Sequence, residues 1–183
     1  MGRWIFYAWD DTRDRQTRAW LRRAALSGSL PASLPNASRL ALDQLPREAG
    51  FEEVCNAILL AECAVGDAVT CEGGLAECLL NLRRDDAWEA LATTLADLIS
   101  ARPGIEAWFE LDFGLVGVLT AAHVQAIAKS AQSLRARPLA RRAPNWLRRL
   151  SPVQDPREGL ADLLDLVAWC AENGFGLAAV AED

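Results

Sequence analysis

RWIFYAW, residues 3–9, decides how this chain folds. Its aromatic and β-branched side chains read as a buried strand. Asp10 or Asp11 directly after it can cap a helix running to about Leu26, with Trp20, Leu21 and Ala24 or Ala25 inward. At the other end of the chain, FGLAAVA (175–181) reads as a final strand. It follows a helix opened by DPRE (155–158), with Asp155 as cap, Pro156 in the first turn and Glu158 reaching back to the cap amide. Leu160, Leu163, Leu164, Val167 and Ala168 form that helix's buried stripe, and Asn173–Gly174 ends it. Neither terminal strand has a local partner, so the two are expected to lie close together in one sheet.

Between the ends the pattern is mostly helical. SGSLPASLPN (27–36) punctuates the first helix with Gly28, Pro31 and Pro35. From Ala37 to Ala101 helix is expected almost throughout. Val54, Ile58, Leu59 and Ala61 form one apolar face, ending near Gly66; Leu75, Leu79, Leu80 and Leu82 form another. Trp88, Leu91, Leu95, Leu98 and Ile99 form a third, stopped by Pro103–Gly104. IEAWFEL (105–111) reads either as a strand or as an extended approach to LDFGLVGVLTAAHV (111–124). There Gly114 and Gly117 permit a bend or close approach, and Thr120 sits where a helix cap belongs. Val124, Ile127, Ala128, Ala131 and Leu134 follow at helical spacing, and Pro138 and Pro144 interrupt what comes next. The expected architecture is α+β: a mainly helical single domain over residues 1–183, with a small sheet containing the N- and C-terminal strands.

Composition agrees with a globular chain, with 51% apolar and 24% charged residues among 183. MGRWIFYAWD reaches acid after nine residues and does not read as a signal peptide. The longest apolar stretch, in LLDLVAWCAENGFGLAAVAED, is broken by Asp165, Glu172 and Asn173, so no membrane span is expected and the cytoplasm is the expected location. Cys55, Cys63, Cys71, Cys78 and Cys170 are spaced by eight, eight and seven residues before the last, and lack the C-x2-C pairing that zinc prefers. With one histidine in the chain, neither a metal nor a disulfide framework is expected, and the thiols read as small buried hydrophobes.

The net charge of −6 is unevenly distributed. Residues 113–154 hold seven basic residues and no acid, while residues 43–97 hold twelve acids against three arginines. The basic run RARPLARRAPNWLRR (135–149) has two readings. Its arginines can meet phosphates with Trp146 stacking on a base, or they can pair with the acidic surface of the same molecule. The acidic balance of the whole chain favours the second, so nucleic acid is not the expected partner. Partner contacts on this side fall to Arg141, Arg142 and Trp146. The acidic stretch reads either as a solvated helical face or as a docking surface for a basic protein, with Glu52, Glu53 and Asp86 as its contacts.

Catalytic sets are sparse. There is no G-x-S-x-G elbow, and any Ser–His or Cys–His chemistry must pass through His123 alone. Glu110 and Asp112 would share one side of an extended segment, within reach of a metal or a sugar, and His123 would sit in the next helix's first turn with no partner visible in the sequence. These three are the candidate catalytic residues, while Trp108, like Trp146, is a candidate partner-binding residue that could line a pocket or an interface; the plainer reading makes His123 incidental and the acids caps. The other acid pair, Asp10–Asp11, also reads as capping. CEGGLAE has no P-loop lysine and GFGLAAV lacks the G-x-G-x-x-G register, so no cofactor is expected. The remaining tryptophans, Trp4, Trp9, Trp20, Trp88 and Trp169, mostly fall in apolar patterns and are expected in the core.

The order WIFYAWD, SGSL, AILLAECAVGD, LAECLLNL, DFGLVGVLTAAHV and WCAENGFGLAAV resembles the YfbM-like bacterial domains of unknown function, over nearly the whole chain. The resemblance implies a small α+β cytosolic protein, supplies no catalytic residues, and is compatible with an accessory or toxin-neutralising role. The leading expectation is a non-catalytic cytosolic partner-binding protein, of which an immunity protein masking a basic toxin is one form. The alternative is an enzyme or small-ligand binder with a pocket near residues 108–123.

Overall fold

The two chain-end strands are direct neighbours at the centre of a four-stranded sheet, where each completes the other's hydrogen bonding. In the computed structural model the described residues are 3–71, 74–84, 88–99, 117–135 and 156–182. Strand β1 (Arg3–Trp9) leads into α1 (Asp11–Ser27), α2 (Asn36–Asp43) and α3 (Phe51–Cys63). Strand β2 (Ala64–Cys71) precedes α4 (Leu75–Leu82) and α5 (Glu89–Ile99). Strand β3 (Gly117–Leu119), α6 (Ala121–Arg135), α7 (Pro156–Asn173) and β4 (Gly176–Glu182) complete the order. The sheet runs β2-β1-β4-β3 with every neighbouring pair antiparallel. The protein is α+β, and no described helix is long and apolar enough to cross a membrane.

Strand alternation sends apolar residues to both faces of the sheet, and helices cover both. Phe6, Ala8, Leu119, Leu177 and Ala179 pack against buried residues of α4, α5, α6 and α7. Trp9, Val118 and Ala178 face Leu21 of α1 and Cys55, Ile58, Leu59 and Cys63 of α3. The expected stripe of α7 is buried throughout: Leu160, Leu163, Leu164, Val167 and Ala168.

Residues 37–101 are not helical almost throughout, because Ala64–Cys71 forms β2. Phe6 stands opposite Val69 and Ala8 opposite Val65, so Tyr7 alone faces Gly66, Asp67 and Ala68. This bulge adds two residues to β2 and keeps Val65 and Val69 on the same sheet face, while destroying the simple alternation by which a strand is recognised. A second departure is Leu80, which is 55% exposed while Leu75 and Leu79 are buried. In an eight-residue helix as apolar as LAECLLNL, composition does not distinguish the inner face from the outer.

Two helices receive their caps from other helices. The buried Ser38 in the first turn of α2 donates its backbone N–H and its hydroxyl to Glu62 Oε1 of α3, at 3.1 and 2.6 Å. The Ala121 N–H that opens α6 donates to Asp11 Oδ2 at 2.8 Å. Asp10, not Asp11, caps α1, accepting from the N–H groups of Thr12 and Arg13 at 2.9 and 3.0 Å. Each carboxylate satisfies a donor that its helix leaves unpaired. The starting cap of α7 expected at Asp155 lies outside the described residues.

Candidate functional site

The residues nominated from sequence do not assemble into one site among the described residues. Asp86, Trp108, Glu110, Asp112, Arg141, Arg142 and Trp146 lie outside them. Glu52 and Glu53 stand exposed in the first turn of α3. Glu53 is already engaged: the Gly50 N–H donates to its Oε2 at 2.6 Å, closing a capping interaction at the helix start. Of the acids in the 43–97 stretch, Glu53 caps its own helix and Glu62 caps α2.

His123 occupies the first turn of α6, half-buried, with Nδ1 3.1 Å from Thr120 Oγ1. Thr120 is a weak cap, its hydroxyl 3.5 Å from the His123 N–H, and the strong acceptor at this helix start is Asp11. Burial holds the Asp11 carboxyl above the ordinary carboxylate range, opposed by the Ala121 hydrogen bond and reinforced by Asp14. A carboxyl whose folded-state value is raised contributes stability that is complete at low pH and is lost as pH rises through that value. Asparagine keeps an acceptor for Ala121 without the cost of a buried charge. Asp11→Asn is thus expected to match or exceed the wild type in stability at pH 7, and to lose that advantage as pH falls toward 4. Asp11→Ala, which removes the acceptor, is expected to cost about 1–2 kcal/mol. Urea titrations of the three proteins at several pH values measure this; a wild-type advantage over Asp11→Asn that grows toward neutral pH contradicts it.

The four buried thiols carry no nucleophilic signature. Burial pushes Cys55 up to about 11 and Cys63, Cys71 and Cys170 up to about 12, so all four are protonated at neutral pH. Among the described residues no group of three or more histidine, cysteine, aspartate or glutamate side chains is placed to hold a metal ion.

The feature with convergent chemistry is a groove of about 550 Å³ between β2 and α7. Half-buried Val65, Val69 and Leu166 give it an apolar lining. Exposed Asp67, Asp162 and Asp165 add three carboxylates, and Trp169 closes the series. None of the described residues lining it is basic. Asp162, Asp165, Leu166 and Trp169 follow i, i+3, i+4, i+7 spacing, which places them in one stripe along α7. Gly159 lets this helix lie close to the strand, since a Cβ there would sit 3.3 Å from both the Cα and the Sγ of Cys71. Asp67 comes from the β2 bulge. A second hollow, of about 820 Å³, lies between α1 and residues 29–35, and Arg23 is its one charged lining residue among those described.

Trp169 departs from the expectation of a core tryptophan, being 41% exposed. Its position follows from how α7 ends. Gly174 takes φ 74°, the Phe175 N–H donates to the Cys170 carbonyl at 2.9 Å, and Phe175 folds back on Trp169 with ring centres 5.4 Å apart and planes 14° from parallel. This is a left-handed helix terminator with its accompanying apolar contact. The Asn173 side-chain amide also donates to the Trp169 carbonyl at 2.8 Å.

No family model, curated protein or solved structure matches the chain.

The groove residues escaped the sequence reading although the α7 stripe is written in the spacing. An acid–acid–leucine–tryptophan series beside a stronger leucine stripe reads as a solvated flank until a strand is known to face it.

Proposed function

We propose that this chain is a non-catalytic binding protein for a basic protein partner, which it engages through the groove between β2 and α7. One observation carries the reading: three exposed carboxylates and an exposed tryptophan line a single groove with an apolar lining, and no basic residue is among its described lining residues. Negative potential along a groove draws a cationic partner and rejects acidic ones, while the aromatic and aliphatic surface supplies contact energy. The net charge of −6 adds to the steering. A toxin whose basic surface is masked by such a groove is the specific partner this chemistry fits, and it accords with the resemblance to YfbM-like bacterial domains and with action in the cytoplasm. Among the described residues, the enzyme or small-ligand reading near residues 108–123 has the Thr120–His123 contact as its one structural anchor.

The test begins with tagged protein recovered from its host, with native mass spectrometry to identify a stoichiometric partner. Asp67→Lys with Asp162→Lys is then expected to weaken that complex at least about tenfold, or roughly 1.4 kcal/mol. Because both side chains are exposed, the melting temperature should stay within about 2 °C of the wild type. Glu52→Lys, at the start of α3, should leave affinity nearly unchanged. Retained affinity in the groove variant refutes the assignment, and loss in Glu52→Lys moves the site to the acidic stretch originally nominated. Glu53 is unsuitable for such a reversal because its carboxylate caps α3.

A further inference from the structure

We infer that the groove selects arginine over lysine in its partner, through a guanidinium laid on the Trp169 ring and hydrogen-bonded to carboxylates of the groove. This inference rests on the reading that the groove binds a basic protein, and it adds which basic group is recognised and what recognises it. Trp169 lines the groove and keeps 41% of its surface exposed, a large aromatic left partly in solvent at a charged site. The ring is held before any partner arrives. Phe175 stacks on it, Gly174 fixes the turn that brings Phe175 back, and the Phe175 N–H is bonded to the Cys170 carbonyl. A platform fixed in advance loses little conformational freedom on binding.

The groove offers the second half of guanidinium recognition on the same helix face. Asp162 lies seven residues before Trp169, two turns along the stripe, and Asp67 approaches from the β2 bulge. A planar guanidinium stacks on an aromatic face while its edge N–H groups donate to a carboxylate, with two parallel bonds available. A lysine ammonium is a compact, strongly hydrated charge that gains the carboxylate attraction but little from the flat ring surface. The carboxylates attract any cation, with the paired bonds favouring arginine in part, and Trp169 supplies the larger share of the discrimination.

The experiment uses the full chain and two defined probes, blocked peptides of nine arginines and of nine lysines, titrated by calorimetry at physiological salt. The arginine peptide is expected to bind about fivefold more tightly than the lysine peptide. In Trp169→Ala that ratio should fall toward one, while Trp169→Phe retains part of it. Asp67→Asn with Asp162→Asn should weaken both peptides and leave most of the ratio in place. Equal affinities in the wild type, or a ratio unchanged in Trp169→Ala, overturn the arginine inference. If the two asparagine substitutions still weaken both peptides in that case, the groove reading survives without it. If they change neither peptide, the groove reading fails and takes the inference with it. A variant with Arg141, Arg142, Arg148 and Arg149 replaced by lysine, which keeps the net charge at −6, checks the other possible occupant: arginine-peptide affinity that rises in this variant means the chain's own arginines compete for the groove, which overturns recognition of a separate partner.

Discussion

Gly176→Ala is expected to destabilise the protein by about 3 kcal/mol, although it adds a single methyl group. A Cβ at this first residue of β4 would lie 2.6 Å from Asp11 Oδ1 and closer still to the Leu119 carbonyl oxygen, with the Trp9 carbonyl at 3.4 Å. Two of these three atoms are backbone of flanking strands, so relief requires β1 and β3 to move apart around β4. The third belongs to the carboxylate that caps α6, and displacing it also forfeits the Ala121 hydrogen bond. Guanidinium denaturation followed by tryptophan fluorescence measures the loss. Native-state hydrogen exchange should show the Ala121 amide losing protection beyond the global change. A variant within about 0.5 kcal/mol of the wild type, the range of ordinary surface substitutions, would mean that the strands yield without cost.

Trp9→Ala is expected to cost about 3–5 kcal/mol, lowering the melting temperature by roughly 10 °C. Trp9 is fully buried and packs with Leu21, Cys55, Ile58, Leu59 and Cys63, so truncation opens a cavity between the sheet and the α1–α3 layer. Its indole Nε1–H is buried without an acceptor among the described residues. That detail separates two substitutions. Trp9→Phe loses volume but also removes an unsatisfied donor, so the two terms offset and a net cost near 1 kcal/mol is expected. Equal losses in Trp9→Ala and Trp9→Phe would show that the indole donor has a partner after all. Both variants should leave peptide binding at the groove intact in their folded fraction, because Trp9 packs on the opposite face of the sheet.

Much of this fold is legible in local pattern. The strand at RWIFYAW, the stop at Gly28, the buried stripe of α7 and its end at Asn173–Gly174 follow from residues close together in sequence, and the pairing of the chain ends follows by elimination, since neither strand has a local partner. Hydrophobic period and cap chemistry act over one or two turns, and a reader of the chain sees that range. The tight approach expected in LDFGLVGVLTAAHV is found at Gly117, where a Cβ would lie 2.6 Å from the Leu98 carbonyl oxygen. What failed was whatever depended on a distant neighbour. Ala64–Cys71 was hidden because its bulge breaks the period, and only β1 alongside makes it a strand. Trp169, expected in the core, is 41% exposed along the groove that β2 forms with α7.

The sequence by itself determined that this is an α+β chain with helices packed on a small sheet that contains both chain ends, because apolar periodicity dictates which surfaces must be buried. It also determined an acidic molecule with thiols that read as core. Tertiary structure alone decided which carboxylates are committed to the fold and which remain at the surface. Asp11 and Glu62 reach helix starts 110 and 24 residues away, while Asp67 and Asp162 meet across a groove. A carboxylate's role depends on the donors within about 3 Å of it, and chain distance carries no information about those.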